Sequence, residues 1–218
     1  KACDLILSDE QYLEQFPIDA FQGGAGTSFN MNVNEVIANI GLELMGHKKG
    51  EYQYLHPNDH VNESQSTNDS YPTGMKVALY SVSERLIEAA EYLIDGLLAK
   101  AKEFAPILKL GRTQLQDAVP MSLGQEFNAF ASMIKVAVRD IKRYREDLLA
   151  VNLGGTAIGT GVNTPEGYAE LVVQRLSDVT GAPFRLADDL IAATSDVTDL
   201  VKFHGTLKSL ALKLAKIA

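Results

Sequence analysis

A run of eight polar residues, Asn62–Asp69, is the part of this sequence best suited to chemistry. It holds hydroxyl, amide and carboxyl side chains, and it precedes the longest helical pattern of the chain, which we predict to begin near Ser70. Such groups can cap a helix by accepting hydrogen bonds from its unpaired N–H groups. They can also join those N–H groups and the positive end of the helix dipole in binding an anion. The stretch alone is compatible with both interpretations.

Two other segments place neutral hydrogen-bond donors beside predicted helices. One is the glycine-rich segment 22–28, which ends in Thr27 and Ser28, and the other is Thr113–Gln114. The glycine-rich segment lacks the third glycine and the preceding strand of a dinucleotide-binding fingerprint, and no P-loop lysine follows it. It predicts either a tight turn or a close backbone approach to a ligand. Neutral donors of this kind suit carboxylates and negative charge that develops on them.

Metal binding and nucleophilic catalysis find little support in the sequence. His56 and His60 stand four residues apart, but Pro57 lies between them and no third ligand is near, so we predict no metal site. Cys3 is the single cysteine, which rules out an intrachain disulfide and is compatible with a reducing compartment. No G-x-S-x-G motif is found.

Composition indicates an ordinary globular protein. The 218 residues are 46% hydrophobic and 22% charged, and the net charge is −8. An acidic chain without a basic stripe is a poor partner for nucleic acid. No signal peptide and no apolar run of membrane-spanning length are visible. We therefore expect a cytoplasmic protein with neither a nucleic-acid nor a membrane partner.

The hydrophobic periodicity predicts a mainly α fold, a bundle of long helices with a short β insert near residues 107–119. The first long helix is predicted from Ser70 to about Phe104, with Pro72 in its first turn and Pro106 ending it. Its predicted buried stripe is Met75, Leu79, Val82, Leu86, Ala89, Leu93, Leu97 and Phe104.

The second long helix is predicted over about residues 121–149, opened by a capping box between Ser122 and Gln125. Its predicted stripe is Leu123, Phe127, Phe130, Ile134, Ala137, Ile141, Tyr144 and Leu148.

Shorter helices are predicted over about residues 30–45 and 164–180. A last helix, capped by Thr194–Asp196, is predicted to continue to Ala218 with a stripe of Val197, Val201, His204, Leu207, Ala211 and Leu214. No C-cap closes this pattern, so we interpret the chain as a fragment that ends within a helix.

Five ordered segments resemble the aspartase/fumarase superfamily, and the resemblance covers essentially the whole chain. They are residues 24–35 (GAGTSFNMNVNE), 56–62 (HPNDHVN), 64–69 (SQSTND), 111–118 (GRTQLQDA) and 154–164 (GGTAIGTGVNT). The resemblance implies a helical subunit whose long helices assemble into a homotetramer, with active sites shared between subunits. It also implies a domain boundary, with residues 1–66 ending an N-terminal domain and residues 67–218 beginning the central bundle domain.

Within the superfamily, the chain resembles the aspartate ammonia-lyase branch more than the fumarate hydratase branch. Fumarases carry His at the position of Gln114 and Asp at that of His60, and residues 187–196 (ADDLIAATSD) are similar to the ammonia-lyases. The resemblance implies reversible deamination of L-aspartate to fumarate and ammonia, without a cofactor. A fumarate hydratase and a non-catalytic helical scaffold remain the alternatives.

The resemblance also assigns roles to residues of this chain. Thr27, Ser66 and Thr67 would hold the β-carboxylate, and Thr113 would contact the α-carboxylate. Asn68 and Gln114 would lie near the amino group. A second, peripheral anion site of fumarases is matched by His56, Asn58 and Asp59, although Gln53 replaces the arginine of that region.

The family's catalytic loop, G-S-S-x-M-P-x-K-x-N, does not occur in these 218 residues. By resemblance it supplies the serine base, together with a lysine and an asparagine that bind the α-carboxylate. We therefore expect the base beyond Ala218, no catalytic base in this chain, and little activity from this chain alone.

Overall fold

In a computed structural model, residues 1–19, 21 and 24–218 are described, and they form two compact units. The first unit comprises Lys1–Lys76 and Ala150–Asp196, and the second comprises Val77–Leu149 and Val197–Ala218. The predicted boundary between residues 66 and 67 refers to domains of the longer family chains and stays a prediction.

Helices dominate both units, which confirms the predicted fold class. In chain order the elements are α1 (Ala2–Ser8), a 3₁₀ helix (Glu10–Gln15), α2 (Thr27–Leu44), a π-helical turn (Pro57–Val61), α3 (Thr67–Glu103), β1 (Leu108–Thr113), β2 (Gln116–Ser122), α4 (Leu123–Arg145), a 3₁₀ turn (Glu146–Leu149), β3 (Ala150–Val151), α5 (Tyr168–Thr180), β4 (Arg185–Leu186), α6 (Leu190–Ser195) and α7 (Thr198–Ile217). Within the described residues, no helix combines the length and apolar character needed to cross a membrane.

The predicted β insert is an antiparallel hairpin of β1 and β2, with a register irregularity between Leu110 and Arg112. Ser122 ends this hairpin and caps α4, because its hydroxyl accepts from the Gln125 N–H at 3.1 Å while the Gln125 side chain accepts from the Ser122 N–H at 2.9 Å. The predicted capping box is therefore confirmed. A second, parallel pair, β3 with β4, was not predicted, since each strand has only two residues.

The core of the second unit lies between α3, α4 and α7. The stripe predicted for α4 is confirmed, with Ile134, Ala137, Ile141 and Leu148 buried and Phe127 packed against them. The stripe predicted for α3 is correct at Leu97, which is buried, and at Leu79 and Leu86, which pack against the core. It is wrong at Met75, Val82 and Leu93, which are exposed, while the unpredicted Ile87, Ala90 and Ile94 are buried.

The buried face of the final helix, α7, also differs from the predicted one. Phe203, Thr206 and Leu210 of α7 are buried, while the predicted Val201 and Leu214 are exposed. Both α3 and α7 carry two apolar stripes, and periodicity cannot tell which one packs within the unit. The predicted cap at Thr194–Asp196 is also displaced, since Thr194 and Ser195 close the separate helix α6 and α7 begins at Thr198.

Gly124 lies where the start of α4 packs closely against the end of α3. A Cβ at Gly124 would lie 2.7 Å from the Ala105 nitrogen and closer still to the Ala101 carbonyl, whereas a Cβ at Gly96 would meet nothing within 4 Å. We expect Gly124→Ala to lower the free energy of unfolding by about 1–3 kcal/mol, because backbone atoms cannot yield as side chains can.

Gly96→Ala serves as the matched control, and we expect no loss or a gain of up to about 1 kcal/mol from helix propensity. Urea denaturation followed by circular dichroism measures both. Equal stabilities of the two variants would contradict the close approach at Gly124.

Candidate functional site

Helix α3 begins three residues earlier than predicted, with Ser66 directly before its first residue, Thr67. The Ser66 hydroxyl accepts from the Asn68 N–H at 3.2 Å, and Asp69 Oδ1 accepts from the Ser66 N–H at 2.9 Å. This pair resembles a capping box, with the N–H of the second helical residue bound to Ser66 in place of that of the third. Ser66 is therefore the capping residue together with Asp69. Ser70 is not, because its hydroxyl donates to the Ser66 carbonyl and to Asn30 Oδ1.

Pro72 was predicted in the first turn of α3, but it lies further inside the helix. A proline there has no N–H to donate to the carbonyl four residues earlier, which belongs to Asn68. Asn152 supplies the missing donor, since its Nδ2 lies 3.0 Å from that carbonyl and 2.9 Å from Thr194 Oγ1. Asn152 is buried, so this amide replaces a helical hydrogen bond with one from a distant segment.

The second glycine-rich segment, residues 152–161, is bound to the start of α3 through Asp69. The Asp69 side chain is fully buried, and its Oδ2 accepts from the Gly154 N–H at 3.1 Å and the Thr156 N–H at 2.9 Å. Gly154 and Thr156 both have positive φ, 91° and 57°. A β-branched residue adopts this conformation only when its surroundings impose it. The turn is thus held in place by the carboxylate.

A network of amides fixes the other side of the α3 start. Asn30 Nδ2, on α2, donates to Thr67 Oγ1 and to Asn62 Oδ1, each at 3.1 Å. Asn34 Nδ2 donates to the same Asn62 oxygen at 3.0 Å. Asn30 and Asn34 are buried, so the polar run 62–69 is anchored from within and does not move as a free loop.

The first glycine-rich segment forms a turn against which the Tyr71 ring packs closely. Gln22 and Gly23 lie outside the described residues, while Gly26 has φ 86° and precedes α2. A Cβ at Gly26 would lie 2.5 Å from ring carbons of Tyr71, so the close approach is that of an aromatic ring. Thr27 and Ser28 belong to the first turn of α2 rather than to a loop, and the Thr27 hydroxyl donates to the Gly24 carbonyl at 2.8 Å.

The hydroxyls at the α3 start have their oxygens occupied as acceptors. Ser66 Oγ accepts from Asn68 and Thr67 Oγ1 accepts from Asn30. In the part of the chain that the structure describes, neither hydroxyl donates a hydrogen bond, and both side chains are partly exposed. Each O–H is therefore available to a ligand, which would be an acceptor such as a carboxylate.

Asn68 presents the opposite polarity. Its Nδ2 donates to the Ala157 carbonyl at 2.7 Å, and because a carbonyl oxygen can only accept, this contact fixes which end of the amide faces inward. The exposed residue therefore offers Oδ1, an acceptor that suits an ammonium group. Two donors and one acceptor beside the positive end of a long helix can bind a carboxylate and a neighbouring amino group.

Thr113 and Gln114 belong to the second unit, at the turn of the β1–β2 hairpin. Gln114 and Leu115 form a two-residue loop with φ 49° and 67°, the backbone of a type I′ turn. Neither is glycine, so the turn is strained by roughly 1–3 kcal/mol for each residue. Arg112 and Asp117 form an ion pair across the two strands, with 3.5 Å between Arg112 Nε and Asp117 Oδ1.

His56 and His60 act as local hydrogen-bond acceptors. His56 Nδ1 accepts from the Asn58 and Asp59 N–H groups at 3.2 Å and caps the π-helical turn, and His60 Nδ1 accepts from the His56 N–H at 2.8 Å. Among the described residues, no group of three or more His, Cys, Asp or Glu could hold a metal ion.

Comparison with known proteins identifies the class. A family model described as lyase matches residues 1–218, and the chain belongs to this lyase family. The helical fold with its small sheets is that of the aspartase/fumarase superfamily. A solved structure of a fumarate lyase:delta crystallin from Brucella melitensis bound to cobalt superposes with a TM-score of 0.93 at 48% identity, covering 99% of this chain and 47% of that chain.

The resemblance is most specific to one kind of lyase. The chain is 61% identical over 216 residues to the aspartate ammonia-lyase of Escherichia coli K12, covering 99% of this chain and 45% of that protein. The class II fumarase from Schistosoma mansoni is 32% identical, with a TM-score of 0.89 over 99% of this chain and 50% of its own. The similarity to aspartate ammonia-lyases is confirmed, and the chain spans about half the length of these relatives.

Sequence reasoning missed the residues that hold the donors in place, above all Asn30, Asn62 and Asn152. One local signal was available for Asn152. A proline beyond the first turn of α3 requires an external donor for the Asn68 carbonyl, which points to a buried amide elsewhere in the chain. Asn30 gives no comparable signal, because its partners lie 32 or more residues away.

Tyr168, the first residue of α5, provides a test of the environment of Asp69. Burial, and then the negative charge of Asp69, raise the pKa of its phenol above the ordinary 10.0. A folded-state pKa above the unfolded value contributes stability that is complete below the unfolded pKa and is lost as the pH rises through the folded pKa. We expect the free energy of unfolding to fall less between about pH 9 and about pH 11 in Tyr168→Phe than in the parent protein.

Urea denaturation at these pH values measures the effect. Tyr54→Phe is the control, since Tyr54 is 50% exposed and does not belong to the second unit, and it is expected to keep the parent pH dependence. An identical pH dependence in Tyr168→Phe and the parent would show that Tyr168 does not experience the Asp69 charge.

Proposed function

We propose that the complete protein is an aspartate ammonia-lyase, which converts L-aspartate reversibly to fumarate and ammonia. The observation that carries this proposal is the polarity of the α3 start, with two O–H donors at Ser66 and Thr67 and an outward acceptor at Asn68. The 61% identity to the aspartate ammonia-lyase of Escherichia coli K12 supports the same assignment.

The chemistry requires removal of a weakly acidic proton from the carbon next to the β-carboxylate. The resulting charge spreads onto that carboxylate, and donors already in place lower the barrier without reorganising. We assign the Ser66 and Thr67 hydroxyls to this carboxylate, with the N-terminal end of α3 behind them. Thr27 is a third candidate, although its hydroxyl must first leave the Gly24 carbonyl.

The amino group is the leaving group, and an ammonium offers only donors. Asn68 Oδ1 is the acceptor that we assign to it, because the Ala157 carbonyl occupies the other end of the amide. Thr113 and Gln114 are assigned to the α-carboxylate and the amino group, as the family resemblance implies. The base and the remaining α-carboxylate ligands would come from the serine-containing loop, which does not occur in these 218 residues.

A class II fumarate hydratase is the second candidate, and it fits less well. Its substrate carries a hydroxyl at the position of the amino group, which would accept as readily as donate. The fumarase from Schistosoma mansoni is 32% identical to this chain, against 61% for the ammonia-lyase from Escherichia coli. A non-catalytic scaffold would have no need of an Asn68 amide fixed in one orientation.

A homotetramer with shared active sites is part of the proposal. The second unit leaves large apolar side chains exposed on three helices, among them Val82 and Tyr92 on α3, Val136 on α4 and Leu212 on α7. Large apolar side chains that stay exposed on three helices of one unit support association. We also propose a cytoplasmic location and a role in amino-acid metabolism, in keeping with the single cysteine and the substrate.

Activity of the complete protein tests the reaction. With L-aspartate it should produce fumarate, seen as rising ultraviolet absorbance, while L-malate gives no comparable rate and the 218-residue chain alone gives little or none. Asn68→Ala should lower kcat/KM for aspartate by about 10–100-fold, the effect of losing a hydrogen bond to a charged group. Turnover of malate in preference to aspartate would overturn the assignment.

Succinate binding separates the role of Asn68 from a general loss of structure. Succinate has both carboxylates and no amino group, so its Kd should change less than about threefold in Asn68→Ala and rise in Thr67→Ala. Gln53→Ala, which removes an exposed amide outside the assigned site, should change neither quantity.

Assembly is tested at the exposed stripe of α3. We expect Val82→Asp, at a residue 65% exposed in this chain, to reduce the mass of the complete protein below that of a tetramer, because a charge would be buried at the interface. Light scattering after size exclusion gives the mass. Val179→Asp on α5 changes a valine that is 82% exposed and should leave the mass unchanged; the same unchanged mass for Val82→Asp would place the interface elsewhere.

A further inference from the structure

We propose that Asp69 is a positioning residue that determines the orientation of the Asn68 amide and thereby the preference for an amino group. The inference rests on the proposed function and extends it to a residue that is buried away from the ligand. Asp69 is fully buried, so it acts through its hydrogen bonds and not by contact with the substrate.

The buried Asp69 carboxylate is satisfied by backbone N–H groups. Three backbone N–H groups bind it, from Ser66 on one oxygen and from Gly154 and Thr156 on the other. A buried carboxylate that lost these donors would be strongly destabilised, so the carboxylate and the turn hold each other. The distances of 2.9–3.1 Å are those of well-formed hydrogen bonds.

The turn that Asp69 holds also contacts Asn68. Ala157 directly follows Thr156, and its carbonyl accepts from Asn68 Nδ2 at 2.7 Å. The Asn68 carbonyl is bound by Asn152 Nδ2, from the residue range that opens the same turn. Both the backbone and the side chain of Asn68 are therefore hydrogen-bonded to the segment that Asp69 fixes.

The orientation of the Asn68 amide determines whether a donor or an acceptor faces the ligand. A primary amide can rotate by half a turn and exchange its donor and acceptor ends with little change of shape. Only the Ala157 carbonyl distinguishes the two orientations of Asn68 in the described structure. If the turn relaxes, the NH₂ end can face the ligand, where it repels an ammonium and suits a hydroxyl or a carboxylate.

A purely structural role would have a different signature. Asp69 also helps to cap α3 by accepting from the Ser66 N–H, and loss of a cap lowers stability by about the same amount for every ligand state. Positioning through Asn68 instead affects ligands that carry an amino group, and its effect must disappear when the Asn68 side chain is absent.

Asp69→Asn in the complete protein tests the proposal, because an amide of nearly the same size can accept on one side only. We expect kcat/KM for aspartate to fall about 10–100-fold, with the Kd of succinate changed less than about threefold. In the Asn68→Ala background the same substitution should change kcat/KM for aspartate less than about threefold, since its target is gone.

Two further measurements keep the outcome decisive. Hydrogen exchange should show faster exchange at Gly154 and Thr156 in Asp69→Asn, whatever reaction the protein catalyses. If Asp69→Asn does not fold, Gly154→Ala perturbs the same turn from the opposite side, since its Cβ would meet the Ala169 backbone. The same loss of aspartate turnover and the same dependence on Asn68 are expected of it.

The results that would overturn the inference are distinct from those that would overturn the proposed function. Equal losses for aspartate and succinate, or an effect of the variant that is undiminished in the Asn68→Ala background, would reduce Asp69 to a structural cap. A parent protein that does not deaminate aspartate would instead remove the reaction, and the exchange measurement would still report whether Asp69 holds the turn.

Discussion

The buried carboxylate of Asp69 is the interaction on which the site at the α3 start depends. A carboxylate in a protein interior is tolerated only when hydrogen bonds replace its hydration. Its three donors are N–H groups that regular structure leaves unpaired, one at a helix start and two in a left-handed turn. Each partner therefore removes an unfavourable feature of the other, and neither the turn nor the helix start can shift alone.

Around this carboxylate, the fold assigns a polarity to each ligand-facing group. The Thr67 oxygen is used by Asn30, and one end of the Asn68 amide is used by Ala157. What remains toward solvent is an O–H in the first case and a carbonyl oxygen in the second. The residue types alone allow either polarity, since hydroxyls and amides both donate and accept. In the proposed site, the hydrogen bonds on the protein-facing half of each side chain therefore determine which polarity is offered to a ligand.

The sequence was informative where structure is local and silent where it is not. The capping box of Ser122 and Gln125 involves residues three apart, and the α4 stripe has a regular spacing, so both were predicted correctly. The start of α3 was placed too late because Pro72 was expected in its first turn.

A proline inside α3 signals that the Asn68 carbonyl needs another donor, but the signal does not say which residue supplies it, and the donor is Asn152, 84 residues away. The segments of the candidate site were therefore predictable, but the orientation of Asn68 was not. For α3 and α7, the two apolar stripes made the choice of buried face ambiguous, because periodicity does not show which of two apolar stripes packs within the unit.

The two sets of assigned residues differ in how firmly each is held. Ser66, Thr67 and Asn68 are fixed by buried amides and a buried carboxylate within the first unit. Thr113 and Gln114 stand on an exposed hairpin turn whose next residue, Leu115, is 91% exposed and has a strained backbone. Donors that stabilise developing charge must be preorganised, and a strained turn keeps its conformation only when its surroundings impose it. The hairpin turn is therefore held less firmly than the α3 start in this chain, and in the proposed tetramer contacts at Leu115 would hold it.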